Sequence, residues 1–336
     1  MKALTVTRFE KKGLAGIELL DIAKPQPKPG QLLVRMKAAA FNPADLHIAS
    51  GEMSMMSPVK TPLTLGVDGA GVVELVGAGA NAFRVGDEVC FYTGLVWSGT
   101  CAEYIVVDAT SCACKPAEWS FAQAGASPLA LLCADLALER AEVKSGQRIL
   151  VHGGGGSVGS AAIFLANQRG ALVDSTGSQS DKEFIEQLGV RTLYDYRTTA
   201  LSGLPRAQYD MVLDGMGGSM FMDSLPLIKS DGTIASLKVM TGLDDMKKMG
   251  MQPPFIFKFL LPLLMRKYIR AARKSGVRVN GVATYQDGGR LSELVQLASK
   301  QGFNPRIDRC FSLSDALGAL LHFAKGKTRG KVVLEM

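Results

Sequence analysis

The 336-residue sequence predicts an α/β protein in which a β-rich domain, built from both chain ends, surrounds an inserted domain with a doubly wound parallel sheet. Three observations carry this expectation. Short strand-like runs punctuated by Gly and Pro crowd the first third of the chain. From residue 122 onward, apolar strand-like runs alternate with helical stretches, the pattern of βαβ units. Between one such strand and helix stands "GGGGSVG", residues 153–159.

In chain order, "QLLVRMKAA", "GAGVVELVG", "DEVCFYT" and "AEYIVV" are the closely spaced early strands. The middle reads "RILVHG", "GSAAIFLANQRG", "ALVDST", "DKEFIEQLG", "TLYDY", "YDMVLDG" and "GTIASLKV", switching between periods of about 2 and 3.6 residues. "RLSELVQLASKQG" is an amphipathic helix, "PRIDRCFSL" a strand, "DALGALLHFAKG" a helix and "KVVLEM" a closing strand. The expected division is therefore 1–121 with 286–336 as one domain and 122–285 as the other. No internal repeat or low-complexity linker interrupts it.

Hydrophobic residues make up 47% of the chain and charged residues 21%, which is globular composition and argues against disorder. A net charge of +7 is modest and suits an anionic cofactor or substrate. With no long Lys/Arg run and no nucleic-acid motif, a nucleic-acid partner is not expected. Cys90, Cys101, Cys112, Cys114, Cys133 and Cys310 are too sparse for a disulfide framework. The start, "MKALTVTRFEKKG", lacks the apolar core of a secretory signal. The most apolar window, "PPFIFKFLLPLLM", is shorter than the roughly 20 residues of a membrane span. A soluble cytoplasmic protein with no membrane span is the expectation.

Gly154, Gly156 and Gly159 fit G-x-G-x-x-G: a tight turn, close backbone approach to a pyrophosphate, and close packing of helix on strand. A helix opening near Ser157 would aim its free N–H groups at the anion. The residues after the next strand select the dinucleotide. Asp174 lies at the spacing of an acid that binds the ribose 2′-hydroxyl, but a strand continuing through Ser175 and Thr176 would end at Gly177 and Ser178 instead. The following helix would open with Ser180 and Glu183 as a capping box. Lys182, with Ser178 beside it, is then a candidate holder of a 2′-phosphate, against the alternative of a solvated helix lysine. NADPH is the expected cofactor.

"AAAFNPADLHIASGE", "LGVDGAGVVELVGAGANAFRVGDEV", "SGQRILVHGGGGSVGSAAIFLA", "LGVRTLYDYR", "YDMVLDGMGG" and the terminal "GKVVL" together resemble the medium-chain dehydrogenase/reductase superfamily, in its zinc-independent quinone oxidoreductase branch. The likeness spans nearly the whole chain. It implies a GroES-like domain from both ends, an inserted Rossmann domain, and a homodimer paired through "VRVNGVAT" at 277–284. It also implies a cofactor loop of Gly153, Gly154, Gly156, Ser157, Val158 and Gly159, with Ser157 where glycine is commoner. The acid of NAD-dependent relatives falls at Gly177, while Ser178, Lys182 and Tyr196 fall where NADPH users hold the 2′-phosphate and adenine end. Cys133 falls where relatives often have a threonine beside the nicotinamide. The positions of the catalytic zinc ligands read Asn42, Val67-Asp68 and Leu129, so no metal is expected.

Without a metal, reduction of a quinone or a conjugated C=C is easier than alcohol oxidation, because conjugation absorbs the charge left by the hydride. By the same resemblance His47 aligns with a proton-relaying histidine of zinc-dependent relatives and with a tyrosine of many quinone reductases. It is the candidate proton donor, against a purely structural role. Asn42 would stand near the nicotinamide; Asp45 either shapes the pocket or caps a short helix. His152, ending a strand, reads as buried structure, and His322 lies far from any motif. The segment 246–270 admits three readings: a helix buried against the sheet, a wall over a bulky apolar substrate, or a membrane-surface element. The expected function is an NADPH-dependent quinone or enone reductase acting on a small electrophile. A dedicated biosynthetic enoyl reductase and a non-catalytic NADPH-binding sensor are the alternatives.

Overall fold

The structure, a computed structural model, describes residues 1–10, 14–52, 54, 60–95 and 99–336. Strands β1 (Lys2–Val6), β2 (Ile17–Asp21) and β3 (Gln31–Ala40) lead into helix α1 (Pro43–Ala49). Strands β4 (Leu63–Thr64), β5 (Asp68–Val76), β6 (Glu88–Tyr92), β7 (Tyr104–Asp108) and β8 (Cys112–Cys114) follow, then helices α2 (Phe121–Ala126) and α3 (Pro128–Arg140). The middle alternates β9 (Arg148–Val151), α4 (Ser157–Gln168), β10 (Leu172–Gly177), α5 (Lys182–Gln187), β11 (Thr192–Asp195), β12 (Tyr209–Asp214), α6 (Gly218–Ser224) and β13 (Ile228–Ser236). Helices α7 (Leu243–Lys248) and α8 (Phe257–Lys274), strand β14 (Arg278–Gly281), α9 (Gly288–Lys300), β15 (Ile307–Ser312), α10 (Ala316–Ala324) and β16 (Lys331–Glu335) complete the chain.

The chain divides into two compact units, Met1–Leu132 with Met249–Gln252 and Tyr285–Met336, and Cys133–Lys248 with Pro253–Thr284. In the first, one sheet runs β15-β16-β3-β5-β6-β8 with β7 also on β3, and a smaller sheet runs β2-β1-β4. The last strand joins the first unit because β16 pairs antiparallel with β3, Val333 opposite Ala40. That register carries Lys331 toward Asn42, just beyond the end of β3. The small side chains Ala38, Ala40 and Ala126 let α2 pack closely there.

The second unit is a parallel sheet in the order β11-β10-β9-β12-β13-β14, the doubly wound arrangement that the alternation predicts. Strand order reverses between β9 and β12, and the glycine loop follows β9 at this switch point. Tyr209, Val212, Phe221 and Ile234 are among the buried residues of its core. β14 lies at the sheet edge, as expected of the segment 277–284.

One local expectation is overturned, and one open reading holds only in part. No capping box forms at Ser180 and Glu183: Gln179–Asp181 is a single 3-10 turn, and α5 opens at Lys182 without a side-chain cap. The Ser178 hydroxyl bonds both Ser180 Oγ (2.8 Å) and the Asp181 carboxylate (2.5 Å), which draws the chain into the tighter turn. Of the three readings of 246–270, burial against the sheet holds for the later half of α8, where Met265, Tyr268, Ile269 and Ala272 meet the core, and not for the first half, which exposes Phe259, Leu260, Leu263 and Leu264. Of the 18 residues of α8 only Leu261 and Ala272 are buried.

Candidate active site

In the second unit, β9 delivers the chain into Gly153 at φ +70°, a conformation open to glycine without strain. Gly156 is the N-cap of α4 and, having no side chain, leaves the first-turn N–H groups to an outside acceptor. Gly159 lies against the preceding turn: a Cβ there would stand 2.2 Å from the Gly153 carbonyl oxygen. The N–H groups of Gly153, Gly154 and Gly156 are spent within the turn, on Thr176 and Gly153, which leaves the first-turn amides of Ser157, Val158 and Gly159 to suit a diphosphate.

Behind the loop His152 is buried and neutral. Its Nδ1 meets Thr176 Oγ1 at 3.2 Å, and its Nε2 meets Ser224 Oγ at 2.8 Å. Gly153 N–H donates to the same Thr176 oxygen, so the histidine braces the loop. Burial pushes its pKa down from 6.5 to about 4. The folded state therefore binds fewer protons than the unfolded state across that window. The stability His152 confers is whole above pH 6.5 and is lost as pH falls to 4. Urea unfolding is expected to show an acid-side loss of ~3 kcal/mol in the native chain that is missing from His152→Gln.

Asp174, the acid at dinucleotide spacing, is not at the strand tip. It is fully buried in β10 and accepts from Arg148 Nη2 (2.7 Å), Arg148 Nε (3.0 Å) and Tyr209 OH (2.9 Å). The strand runs on to Gly177, where a Cβ would meet Ile185 Cδ1 at 2.4 Å, so a side chain there would have to displace that isoleucine tip. Ser178 is buried and engaged with Asp181. Lys182 is half-exposed, its Nζ 3.7 Å from Glu186. Tyr196 is exposed after β11, beside a cavity of about 240 Å³ that Thr176, Thr199 and Asp223 also line. Asp181 was not singled out by the sequence reading. Its carboxyl group would be 3.1 to 3.2 Å from a Cβ on Gly155, so an acid overlies the glycine loop.

In the first unit, Asn42 is the N-cap of α1, and its backbone N–H donates to Asp45 Oδ2 at 2.7 Å. Asp45 Oδ1 accepts from Gly66 N–H at 3.0 Å. Asp45 is fully buried, and that desolvation raises its pKa to about 7. The Asn42 side chain is fully engaged: Nδ2 donates to Asp68 Oδ2 (3.0 Å) and the Ala40 carbonyl (3.2 Å), and Oδ1 accepts from Lys331 Nζ (2.5 Å). Lys331 Nζ also lies 2.7 Å from Asp68 Oδ2, with only 4% of its side chain exposed. Leu129 N–H donates to Asp68 Oδ1 at 2.8 Å. Asn42 and Asp68 therefore converge on a buried ammonium, and Leu129 N–H holds the other oxygen of Asp68. Sequence reading missed Lys331, which was visible only as part of the closing strand. His47, on α1, is half-exposed, with Nδ1 2.6 Å from Glu52 Oε2.

The alcohol dehydrogenase GroES-like domain model matches residues 28–117, and the zinc-binding dehydrogenase model matches residues 188–334. The chain is 32% identical over 234 residues to the quinone-oxidoreductase homolog of Spinacia oleracea chloroplasts, covering 67% of this chain and 71% of that protein. The chain belongs to the medium-chain dehydrogenase/reductase superfamily, in its quinone oxidoreductase-like branch. The chloroplastic NADPH-dependent alkenal/one oxidoreductase of Arabidopsis thaliana is 35% identical over 235 residues, covering 66% of this chain and 60% of that one. The quinone oxidoreductase structure from Coxiella burnetii superposes with a TM-score of 0.83 at 28% identity, covering 100% and 99% of the two chains. The fold is that of a nicotinamide-dependent oxidoreductase of this superfamily.

The name of the second matching family model raises the question of zinc. The buried set of Asn42, Asp68 and the Leu129 amide does not fit that ion. It offers an amide, a backbone N–H donor and one carboxylate already paired with a cation, not thiolate and imidazole.

Proposed function

We propose that this member of the superfamily is an NADPH-dependent, zinc-independent reductase that delivers hydride to a quinone or to the C=C of an α,β-unsaturated carbonyl compound. The observation that carries the reading is the Lys331 ammonium inside the Asn42–Asp68 pair. That ammonium already takes the one carboxylate a metal would need, which supports a reaction that does not depend on a metal-polarised alcohol oxygen. The names of the spinach and Arabidopsis relatives support the same reaction class.

The loop of Gly153, Gly154, Gly156, Ser157, Val158 and Gly159 binds the pyrophosphate. Ser178 and Lys182 take the 2′-phosphate, Tyr196 and Gly177 border the adenine end, and Cys133 contacts the nicotinamide. Bound NADPH supplies the hydride. An electron-poor acceptor spreads the resulting charge, so this chain's residues have only to orient it and deliver a proton. Glu52 on Nδ1 orients the His47 ring and leaves Nε2 to carry that proton. Asn42 acts through its bonds to Lys331 and Asp68. A homodimer in the cytoplasm belongs to the same proposal.

Asp181 favours a second reading of the cofactor, because a carboxylate above the loop suits ribose hydroxyls and repels a 2′-phosphate. Titration with both dinucleotides separates the two. If NADPH is the cofactor, Lys182→Ala weakens it by about tenfold and leaves NADH within about twofold. If NADH is the cofactor, Asp181→Ser weakens NADH and strengthens NADPH. The reaction is tested by NADPH consumption with a panel of quinones, enals and enones. Turnover of simple acceptors supports the proposal, and turnover of thioester enoyl substrates alone points to a dedicated enoyl reductase. Binding without turnover of any of them would leave a sensor and overturn the proposal.

A further inference from the structure

Helix α8 carries six cations, Lys258, Arg266, Lys267, Arg270, Arg273 and Lys274, and no acid. Among the described residues none of the six has a carboxylate within ion-pair distance, whereas Arg140, Arg148 and Arg169 in the same unit are all paired. The segment also exposes a continuous apolar stripe. Phe255 is 75% exposed and Leu263 61%, with Ile256, Phe259, Leu260 and Leu264 beside them. Phe259, Leu260, Leu263 and Leu264 recur at spacings of three and four on one face of α8, and Phe255 and Ile256 stand in the turn just before it. Lys267, Arg270 and Lys274 continue that face along the last turns. One side of the helix therefore changes from phenylalanine and leucine to lysine and arginine along its length. On the flank, Lys258, Arg266, Arg270 and Arg273 edge an open groove of about 400 Å³ floored by Leu261, Met265 and Ile269.

We propose that α8 docks this protein onto an anionic bilayer surface: the apolar first turns enter the acyl boundary and the cations meet lipid phosphates and carboxylates. An apolar face joined to unpaired cations is the pattern of helices that lie in the membrane interface. Charge complementarity selects this occupant over a second copy of the chain. In a twofold contact through α8 the facing α8, which carries no acid, would bring no carboxylate to any of these cations. Docking involves no span, and no helix among the described residues is long and apolar enough to cross a membrane. The proposal is independent of the reaction.

The test is co-sedimentation of the full chain with phosphatidylcholine vesicles, with and without about a third phosphatidylserine. Binding is expected only to the anionic vesicles and is reversed by high salt. Lys267→Gln with Arg270→Gln is expected to weaken it about 30-fold. Phe259→Asp with Leu263→Asp, both at exposed positions, is expected to abolish binding with unchanged thermal melting. Failure of the native chain to bind anionic vesicles at low salt overturns the proposal, as does equal binding to neutral ones. Full binding by the Phe259→Asp/Leu263→Asp variant does the same. So does conversion of a native oligomer to monomers by that variant, which would assign the stripe to a second copy.

Discussion

Lys331→Ala is expected to lower the unfolding free energy by about 3–5 kcal/mol, because it leaves the Asp68 carboxylate buried without its cation. The ammonium also holds Asn42 Oδ1, so that amide loses its acceptor contact in the same step. The cost comes from the unpaired charge and not from the value of the pair. Lys331→Met combined with Asp68→Asn should therefore recover much of the loss, since both charges are gone and Asn can still accept from Leu129 N–H. Urea unfolding of the three proteins reads this directly. A cost for Lys331→Ala below about 1 kcal/mol would mean that the cluster is wet and the ammonium easily spared.

The second large effect is at the glycine loop. Gly159→Ala puts a Cβ 2.2 Å from the Gly153 oxygen, 2.8 Å from its carbonyl carbon and 3.0 Å from Gly154 Cα. All three are backbone atoms of the turn, so the loop must open to admit it. Dinucleotide affinity is expected to fall on the order of 100-fold, about 2.7 kcal/mol, together with a lower melting temperature. Gly156→Ala is the informative contrast. Its Cβ comes no closer than 3.3 Å to the Gly153 oxygen, at an ordinary φ of −84°, so melting should hardly change. Affinity should still fall, because that methyl group occupies the approach to the pyrophosphate. Equal melting losses for both variants would contradict the packing assigned to Gly159.

The architecture was legible because hydrophobic periodicity and the strand–glycine–helix context are local properties. Alternating strands and helices gave the parallel sheet, and the run "ALVDST" continuing into Gly177 moved the strand tip away from Asp174. The unread parts depend on contacts between distant residues. Lys331 follows Asn42 by 289 positions and reaches it only through the pairing of β16 with β3. Asp181 lies near the predicted helix start, but its place above Gly155 follows from the Ser178 hydrogen bond that breaks the expected capping box. The segment 246–270 kept three readings because apolar spacing alone does not say which side of a helix meets protein.

Conjugate hydride delivery without a metal is tested most directly by following deuterium from NADPH labelled at C4 into the product formed from an α,β-unsaturated ketone, using protein treated with a strong chelator. The expected result is a saturated ketone carrying the deuterium at its β-carbon, at a rate unchanged by the chelator. Deuterium at the carbonyl carbon of an allylic alcohol, or activity that vanishes with the chelator and returns with zinc, would contradict it.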